Sequence, residues 1–396
     1  MVKARKKKCE IQVMNNIAQV GLKRLPPERY AVVKESKDPQ AILVRSADLH
    51  GHAFGPSLKV VGRAGAGVNN IPVAALSRRG VPVFNAPGAN ANAVKELVLA
   101  GMLIAARNLA PALEFVSKLE GKEVEKRVEE GKKQFAGAEL PGHTLGVIGL
   151  GKIGSLVADT AIRLGMNVLG YDPHITVEAA WSLPSQVKRA GSIEEIFKAS
   201  HFVSLHVPLA EKTRSLVNTR NVDHFRSGAV LLNFSREGVV ADDAVLKGLG
   251  SQRLKWYVTD FPSAALLGRR GVIALPHLGA STREAEDNSA IMVVDQVRDY
   301  LEHGNLQNAV NFPDAAMARE APYRLAIANA NVPDMLGRIS HALGKRKINI
   351  HNMLNKSRGE MAYTLVDADN PVPAEAVDEL CKLNGVLVVR YLPIEG

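Results

Sequence analysis

Short apolar runs alternate with longer amphipathic stretches along most of this chain. Up to about residue 85, strand-like runs occur at residues 42–44, 60–61 and 81–84, with helical stretches between them. A long helical pattern follows over residues 92–119, interrupted by one proline, and its apolar residues lie on one face. The charged stretch 120–133 is typical of a solvated surface helix or loop. This alternation predicts an α/β layer ahead of the next segment.

Residues 144–173 contain the parts of a dinucleotide-binding unit in their usual order. After a short buried strand, Gly149, Gly151 and Gly154 supply the pattern G-x-G-x-x-G where the chain must turn into a helix. A second strand ends in Asp172, whose carboxylate can accept hydrogen bonds from ribose hydroxyls. The same carboxylate would repel a 2′-phosphate. The segment therefore predicts NAD as the cofactor in preference to NADP, with its pyrophosphate at the helix N-terminus.

The rest of the chain completes one sheet and begins another. Strands predicted at residues 202–205, 230–233, 256–259 and 272–275 make a Rossmann-type, doubly wound parallel sheet, and a helix is predicted over 283–303. Residues 311–322 hold two prolines and little periodicity, which predicts a linker. Beyond it the pattern is strand, helix, strand, strand, helix, strand, at residues 325–328, 333–345, 349–354, 361–367, 374–383 and 386–391. That order predicts a separate ferredoxin-like βαββαβ domain.

Charge and cysteine content narrow the possible partners and compartments. The net charge is +10, but Lys3, Arg5, Lys6, Lys7 and Lys8 supply five of those charges in what we expect to be a solvated tail. Without interleaved aromatic residues, this charge does not predict nucleic-acid binding. No apolar run approaches the roughly 18 residues of a membrane span. Cys9 and Cys381 cannot form a disulfide framework or a metal cluster, and no secretory signal precedes them, so a cytoplasmic protein without a metal is expected.

Polar clusters follow the predicted strands at the sheet edge where open α/β folds bind their ligands. Hydride transfer from a secondary alcohol needs a base for the hydroxyl proton and a cation for a neighbouring carboxylate. His277 and Arg236 suit these two roles by residue type and by position after a strand. Taken singly, a histidine such as His277 is more often a partly buried, hydrogen-bonded residue, and an arginine such as Arg236 is more often a surface residue that caps a strand. We interpret His206 as packing against the cofactor, not as a base.

These motifs together resemble the D-isomer-specific 2-hydroxyacid dehydrogenases, and the resemblance covers nearly the whole chain. The stretches that carry it are VRSADL from Val44, GRAGAGVNNIPV from Gly62, VFNAPGANANAVKELVLA from Val83, the Gly149 loop, HVPLAEKTRSLVN from His206, NFSREGVV from Asn233 and LPHLGAST from Leu275. Within the family, the resemblance is to the enzymes that act on 3-phosphoglycerate.

The resemblance implies oxidation of 3-phosphoglycerate to 3-phosphohydroxypyruvate with NAD, the first step of the phosphorylated pathway of L-serine biosynthesis. Arg45 and Ser46 would approach the substrate phosphate, because a guanidinium suits bidentate contacts to such a group. The Ala66, Gly67 and Val68 amides would hold the carboxylate together with Arg236, and His277 would be the acid/base. The residues implied to contact the cofactor are Gly149, Gly151, Lys152, Ile153, Gly154, Asp172, His206, Val207, Pro208, Thr213, Asn233, Ser235 and Asp260.

The family also implies three domains. A discontinuous, flavodoxin-like substrate domain would comprise residues 1–100 and 288–315, and the NAD-binding domain residues 101–287. Residues 322–396 resemble an ACT domain, a module that pairs its sheets across subunits and in related enzymes binds serine. Asn329, Asn331 and Asn349 would contact that effector, or the domain would serve oligomerisation alone, and a homodimer or tetramer is expected. The usual Pro-Gly turn is Pro333-Asp334 here, and aspartate tolerates a positive φ less well than glycine.

The main departure from the family lies in the catalytic machinery. The family places a glutamate a few residues after the position of Asp260, where it hydrogen-bonds the catalytic histidine. Here the sequence from Asp260 onward reads DFPSAA, and no Asp or Glu stands between Asp260 and Glu284. We expect a slowed enzyme, not an inactive one. Two alternatives stay open, a dehydrogenase of another 2-hydroxy acid and a corepressor-like NAD-binding protein with weak catalysis.

Overall fold

The computed structural model describes residues 8–394, and the chain divides into two compact units. The first unit is formed by Met1–Asn90 and Arg283–Gly396, and the second by Ala91–Thr282. The basic positions 3 to 7 of the expected tail lie outside the described residues. The division into three domains stays a prediction. The helices Ala91–Ala106 and Arg283–His303 each belong whole to one unit.

The first unit is built around a five-stranded parallel sheet in the order β2-β1-β3-β4-β5. Its elements are β1 (Cys9–Met14), α1 (Gln19–Leu22), β2 (Tyr30–Val33), β3 (Ala41–Val44), β4 (Val60–Arg63), α2 (Val73–Arg78) and β5 (Val83–Phe84). Strands β1 and β2 were not predicted from the sequence. The only sign of β1 was the alternation of Ile11 and Val13 with Glu10 and Gln12, directly after the basic run.

The second unit opens with three helices and continues as a seven-stranded parallel sheet in the order β12-β11-β10-β9-β6-β7-β8. The helices are α3 (Ala91–Ala106), α4 (Leu109–Ser117), α5 (Val124–Gly131), α6 (Lys152–Arg163), α7 (Val177–Trp181), α8 (Ile193–Ala199) and α9 (Asp242–Gly250). The strands are β6 (Thr144–Ile148), β7 (Asn167–Tyr171), β8 (Lys188–Arg189), β9 (Phe202–Leu205), β10 (Ala229–Asn233), β11 (Leu254–Thr259) and β12 (Val272–Ala274). The predicted Rossmann-type sheet is confirmed, with the unpredicted two-residue β8 at its edge.

The single helical pattern expected over residues 92–119 is in fact two helices, α3 and α4, bent by 68°. The break lies at Asn108, which adopts a left-handed conformation with φ of 51°, and not at Pro111, which lies in the first turn of α4. The Asn108 side chain donates from Nδ2 to the Ala136 carbonyl over 2.9 Å, and its Oδ1 accepts from Trp256 Nε1 over 3.3 Å. Among the described residues no helix alone has the length and apolar content of a membrane span; α3 and α4 meet that test only when taken together.

The C-terminal part of the first unit forms a four-stranded antiparallel sheet in the order β14-β15-β13-β16. Its elements follow a long helix and are α10 (Arg283–His303), β13 (Tyr323–Ala330), α11 (Met335–Lys345), β14 (Ile350–Arg358), β15 (Met361–Ala368), α12 (Ala374–Cys381) and β16 (Val386–Pro393). This order and topology confirm the predicted ferredoxin-like βαββαβ fold.

The stretch predicted as a linker, residues 311–322, is packed into the core of the first unit. Leu306 and Ala315 exchange backbone hydrogen bonds of 2.8 and 2.9 Å, and Phe312 is fully buried with its ring 6.3 Å from that of Tyr363. One apolar cluster contains residues of the parallel sheet, of α10, of this stretch and of the antiparallel sheet, among them Ile11, Tyr300, Phe312, Ala326 and Tyr363. The two sheets of the unit therefore share this apolar cluster.

A fully buried ion pair joins two neighbouring strands of the antiparallel sheet. Arg324 on β13 and Asp367 on β15 have no exposed side-chain surface, and their two contacts measure 2.5 Å (Nε to Oδ1) and 2.8 Å (Nη2 to Oδ2). The same guanidinium donates to the carbonyls of His303 (3.2 Å), Met317 (3.0 Å) and Ala318 (3.0 Å). Arg324 thus satisfies backbone acceptors of the segment between α10 and β13.

Candidate functional site

The glycine-rich turn between β6 and α6 has the geometry that its sequence predicts. Gly149 has a φ of 91°, and a Cβ there would lie 2.4 Å from the His206 carbonyl oxygen. A Cβ on Gly154 would lie 1.9 Å from the Gly149 carbonyl oxygen, so this helix turn and the loop are in direct contact. Gly151 caps α6, and a Cβ there would meet nothing within 4 Å. The turn therefore leaves open space in front of the first amides of α6, as a bound pyrophosphate requires.

Asp172 directly follows β7 and is held by the backbone. Its Oδ2 accepts from the Leu150 amide and its Oδ1 from the His174 amide, both over 2.9 Å. Beside it lies a cavity of about 510 Å³ lined by apolar side chains, including Ile175 and Leu183. This cavity was not predicted from the sequence, because its walls come from several separate segments, among them the glycine turn, β7, α7 and β8. Its position next to the predicted ribose-binding carboxylate suits an adenine ring.

His206 lies just beyond β9, with little access to solvent. Its Nε2 is 2.8 Å from Ser204 Oγ, and Nδ1 has no hydrogen-bond partner in the described part of the chain. Burial lowers the pKa of His206 to about 4, so its ring is neutral at pH 7. A neutral, poorly accessible ring fits a packing role. Nearby, Thr213 Oγ1 accepts from the Ala210 amide and donates to the Pro208 carbonyl, which shapes the loop.

Arg236 is presented by a tight turn after β10. Asn233 is buried; its Oδ1 accepts from Ser235 Oγ over 2.8 Å and its Nδ2 donates to the Arg236 carbonyl over 3.1 Å. The Arg236 side chain is exposed, and its Nη1 donates to the Ser235 carbonyl over 2.6 Å. The buried Asn233 and Ser235 thus serve to hold the turn, and Arg236 projects from the carboxyl edge of the sheet.

His277 lies three residues beyond β12, at the same edge, and its ring packs 4.7 Å from that of Phe261. Asp260, at the end of β11, is 1% exposed and accepts from the Gly279 amide through Oδ2 over 3.2 Å. Its Oδ1 has no hydrogen-bond partner within residues 8–394. Burial raises the pKa of Asp260, and the charge of His277 acts against that rise. A buried carboxylate with an unused oxygen therefore lies within electrostatic reach of His277.

The residues expected to bind substrate belong to the first unit. Arg45 follows β3 and Ala66 lies beyond β4, so both stand at the carboxyl ends of neighbouring parallel strands. Arg45 Nη2 is paired with Glu286 Oε1 on α10 at 2.7 Å, and Ser46 is exposed. The Ala66 carbonyl accepts from Asn85 Nδ2 over 2.6 Å, which fixes the loop that carries Gly67 and Val68.

Comparison with known proteins agrees with this geometry. Residues 99–279 match the model described as D-isomer specific 2-hydroxyacid dehydrogenase, NAD binding domain. The chain is 31% identical over 349 residues to a D-3-phosphoglycerate dehydrogenase of Haemophilus influenzae, covering 85% of this chain and 82% of the relative. The chain belongs to the D-isomer-specific 2-hydroxyacid dehydrogenase family.

Other relatives of this chain are longer or more distant. It is 35% identical over 322 residues to the D-3-phosphoglycerate dehydrogenase of Methanocaldococcus jannaschii, covering 78% of this chain but only 58% of that relative. The crystal structure of the TT0316 protein from Thermus thermophilus superposes with a TM-score of 0.61 at 25% identity, covering 76% of this chain and 99% of the other. An NAD+-bound 3-phosphoglycerate dehydrogenase from Entamoeba histolytica, at 24% identity, 77% and 99% coverage and a TM-score of 0.59, shares the fold.

NAD fits the candidate site of this chain. The open cradle at Gly151, the backbone-held Asp172 and the adjoining cavity lie along one edge of the sheet, and the unpartnered Nδ1 of His206 and Oδ1 of Asp260 are polar atoms left free for a bound group. Lys152 and Ile153 form the first turn of α6, and Val207 and Pro208 follow β9. NAD is the cofactor. Across residues 8–394, no group of three or more His, Cys, Asp and Glu is placed to hold a metal ion.

The residues expected to bind an effector differ in their surroundings. Asn329 is fully buried, and its Nδ2 donates to the Ala330 carbonyl over 2.8 Å; its role as an effector contact stays a prediction. Asn331 donates to the Gly359 carbonyl over 3.0 Å, and Asn349 donates to the Asp369 carboxylate. Their roles stay predictions. Asp334 adopts a φ of 62°, so aspartate does take the left-handed conformation in the turn where glycine is usual.

The contact at Gly154 gives a direct test of the cofactor site. In Gly154→Ala the new methyl group collides with the Gly149 carbonyl, so we expect NAD affinity, measured by calorimetry, to fall at least about tenfold. Gly250→Ala, in α9, adds a methyl group that meets nothing within 4 Å and serves as the control. Equal affinity in the two variants would show that the turn does not hold the cofactor.

Proposed function

We propose that this chain oxidises 3-phosphoglycerate to 3-phosphohydroxypyruvate with NAD. The supporting observation is that Gly149, Arg236 and His277 follow β6, β10 and β12, and so stand at one carboxyl edge of a parallel sheet. The phosphorylated substrate is favoured by the similarity to D-3-phosphoglycerate dehydrogenases. The proposed reaction would be the first step of phosphorylated-pathway L-serine biosynthesis.

In this proposal each residue has one chemical task. The exposed imidazole of His277 accepts the proton of the substrate hydroxyl, and the Arg236 guanidinium holds the carboxylate and polarises the adjoining carbon–oxygen bond. NAD, when bound, supplies the hydride acceptor. The buried Asp260 carboxylate stabilises the positive charge that His277 gains on accepting the proton. We assign this role to Asp260 because the 23 residues between Asp260 and Glu284 contain no other Asp or Glu.

Phosphate recognition is assigned to Arg45 and Ser46, and the Ala66, Gly67 and Val68 amides are assigned to the carboxylate. Arg45 is already held by Glu286, which fixes the position of its guanidinium while leaving part of it exposed. A substrate phosphate therefore meets an arginine whose side-chain entropy is already reduced. D-Glycerate, which has no phosphate, should be a poor substrate.

The test is NADH formation from 3-phosphoglycerate by the purified chain, with D-glycerate and D-lactate as alternative substrates. We expect activity with 3-phosphoglycerate, and a rise of about tenfold in kcat in either Ala264→Glu or Ala265→Glu, since general acid/base catalysis contributes 10²- to 10⁴-fold in total. Ala264→Gln and Ala265→Gln are the neutral controls. NAD binding without oxidation of any of the three acids would contradict the proposal and favour the corepressor-like alternative.

Serine control is proposed for the same enzyme, acting through Asn331 and Asn349 in a homodimer or tetramer. Repeating the assay with L-serine should lower the rate, and Asn349→Ala should weaken that inhibition. Asn349 is exposed and lies just before β14, where its amide meets Asp369. A rate independent of serine at every concentration would leave oligomerisation as the function of the C-terminal sheet.

A further inference from the structure

A second cavity of about 510 Å³ lies in the first unit, away from the strand ends assigned to substrate. Cys9 and Tyr30, the first residues of β1 and β2, and Lys59, which directly precedes β4, all line it. It therefore opens at the amino edge of the parallel sheet, whereas Arg45 and Ala66 follow the carboxyl ends of β3 and β4. Residues of the last turn of α10 and of β16 complete its wall.

Positive charge predominates in this cavity, which we call the amino-edge pocket. Five basic side chains line it, Lys8, Arg29, Lys59, Arg319 and Arg390, together with His303. The acidic residues are Glu28 and Glu302. Glu302 is already engaged, because it accepts from the Tyr30 hydroxyl over 2.9 Å and pairs with Arg29 over 3.5 Å. The cations therefore outnumber the carboxylates that could neutralise them.

Lys59 is a cation of the amino-edge pocket without a compensating partner in the described part of the chain. Within residues 8–394 its ammonium makes no ion pair or hydrogen bond. Partial desolvation lowers the pKa of Lys59, and the neighbouring positive charge of Arg390 lowers it further. Lys59 is exposed to solvent, and an anion placed beside it would relieve this like-charge repulsion and accept a hydrogen bond from its ammonium in place of water.

The arginines of the pocket are fixed before any ligand arrives. Arg390 donates to the carbonyls of Tyr300 and Leu301, each over 2.8 Å, and its guanidinium lies 4.4 Å from the centre of the Tyr300 ring. Arg319 donates to the Pro322 carbonyl over 2.8 Å and to that of Leu392. These carbonyls are neutral, so they accept hydrogen bonds from the two arginines without neutralising the guanidinium charges. The positive field of the pocket is therefore preorganised, and binding does not have to order these side chains.

We propose that the amino-edge pocket binds a small metabolite carrying two or more phosphate or carboxylate groups, with Lys59 as its main hydrogen-bond donor. The volume suits a molecule of this size. Such a ligand would contact β1, β2, the end of α10 and β16 together, and would therefore tighten the attachment of the antiparallel sheet to the rest of the unit. The proposal does not depend on the reaction assigned above.

Isothermal titration of the full chain with citrate and, separately, with pyrophosphate tests the pocket and separates the two anion classes. We expect one site per chain for at least one of them, weakened about tenfold in Lys59→Gln because that change removes a charged hydrogen-bond donor. Lys34→Gln removes one exposed charge just after β2, outside the pocket, and should bind as the parent does.

The same titration also locates the bound anion. Arg45→Gln, which alters the proposed substrate site, should leave the affinity unchanged. The proposal is overturned if neither anion binds, if Lys59→Gln binds as tightly as Lys34→Gln, or if the binding disappears in Arg45→Gln. Because the readout is heat of binding and not turnover, an inactive enzyme would not affect this outcome.

Discussion

Replacing His277 with glutamine should lower kcat by about 10³-fold, within the 10²- to 10⁴-fold range of general acid/base catalysis. Glutamine keeps a polar side chain of similar size against Phe261 but cannot take up a proton at neutral pH. The Asp260 carboxylate would then have no imidazolium to stabilise. NAD affinity should stay within about twofold, because the glycine turn and Asp172 are untouched. Stopped-flow measurement of NADH formation, with calorimetry for NAD, separates the two effects.

The control for this variant is His224→Gln, which changes an exposed histidine on the 3-10 turn Val222–His224 of the same unit. It should behave as the parent in both measurements. A loss of kcat below about tenfold in His277→Gln would assign the proton to another group. A loss confined to NAD affinity would instead make His277 a cofactor ligand.

Replacing Arg324 with methionine should destabilise the first unit by about 3–5 kcal/mol, the usual effect of removing one partner from a buried ion pair. The change leaves the Asp367 carboxylate charged and wholly buried. It also removes the donor for the His303, Met317 and Ala318 carbonyls. Urea unfolding followed by far-UV circular dichroism would report the loss as an earlier first transition.

Two further variants examine the reason for that loss. The exposed pair of Arg163 with Asp159 on α6 spans 2.8 Å, so Arg163→Met should leave the unfolding curve unchanged, because solvent already screens such a pair. The double variant Arg324→Met/Asp367→Leu removes both buried charges and should recover part of the stability. It should not recover all of it, since the backbone carbonyls stay unpaired. Full recovery would show that the hydrogen bonds to these carbonyls contribute nothing to the free energy of unfolding.

Much of the sheet architecture could be predicted, because the strands of the second unit, apart from the charged two-residue β8, are short and mainly apolar runs. The glycine turn was predictable for the same local reason, since a φ of 91° at Gly149 and the close contact at Gly154 both require glycine. The break in the first long helix was not. It depends on Asn108, whose side chain is held by Ala136 and Trp256, and neither partner is near it in sequence.

The amino-edge pocket could not be predicted from local sequence patterns either. Its cations come from residues 8, 29, 59, 319 and 390, so no motif records them. The burial of Asn329 was also hidden, because one polar residue in an apolar strand is compatible with either face of the sheet. Local pattern identifies elements and their end residues. Side chains that meet across hundreds of residues become visible only in the structure.

The core shared by the two sheets of the first unit has a consequence for how the C-terminal module can be handled. A shortened chain that stops before β13 would uncover the faces of Tyr300 and Phe312 that now pack against Ala326 and Tyr363. The C-terminal module is therefore not an independent domain that can be removed or transferred to another protein intact. A force applied to the antiparallel sheet would be transmitted to α10 and to the parallel sheet through the apolar cluster that they share.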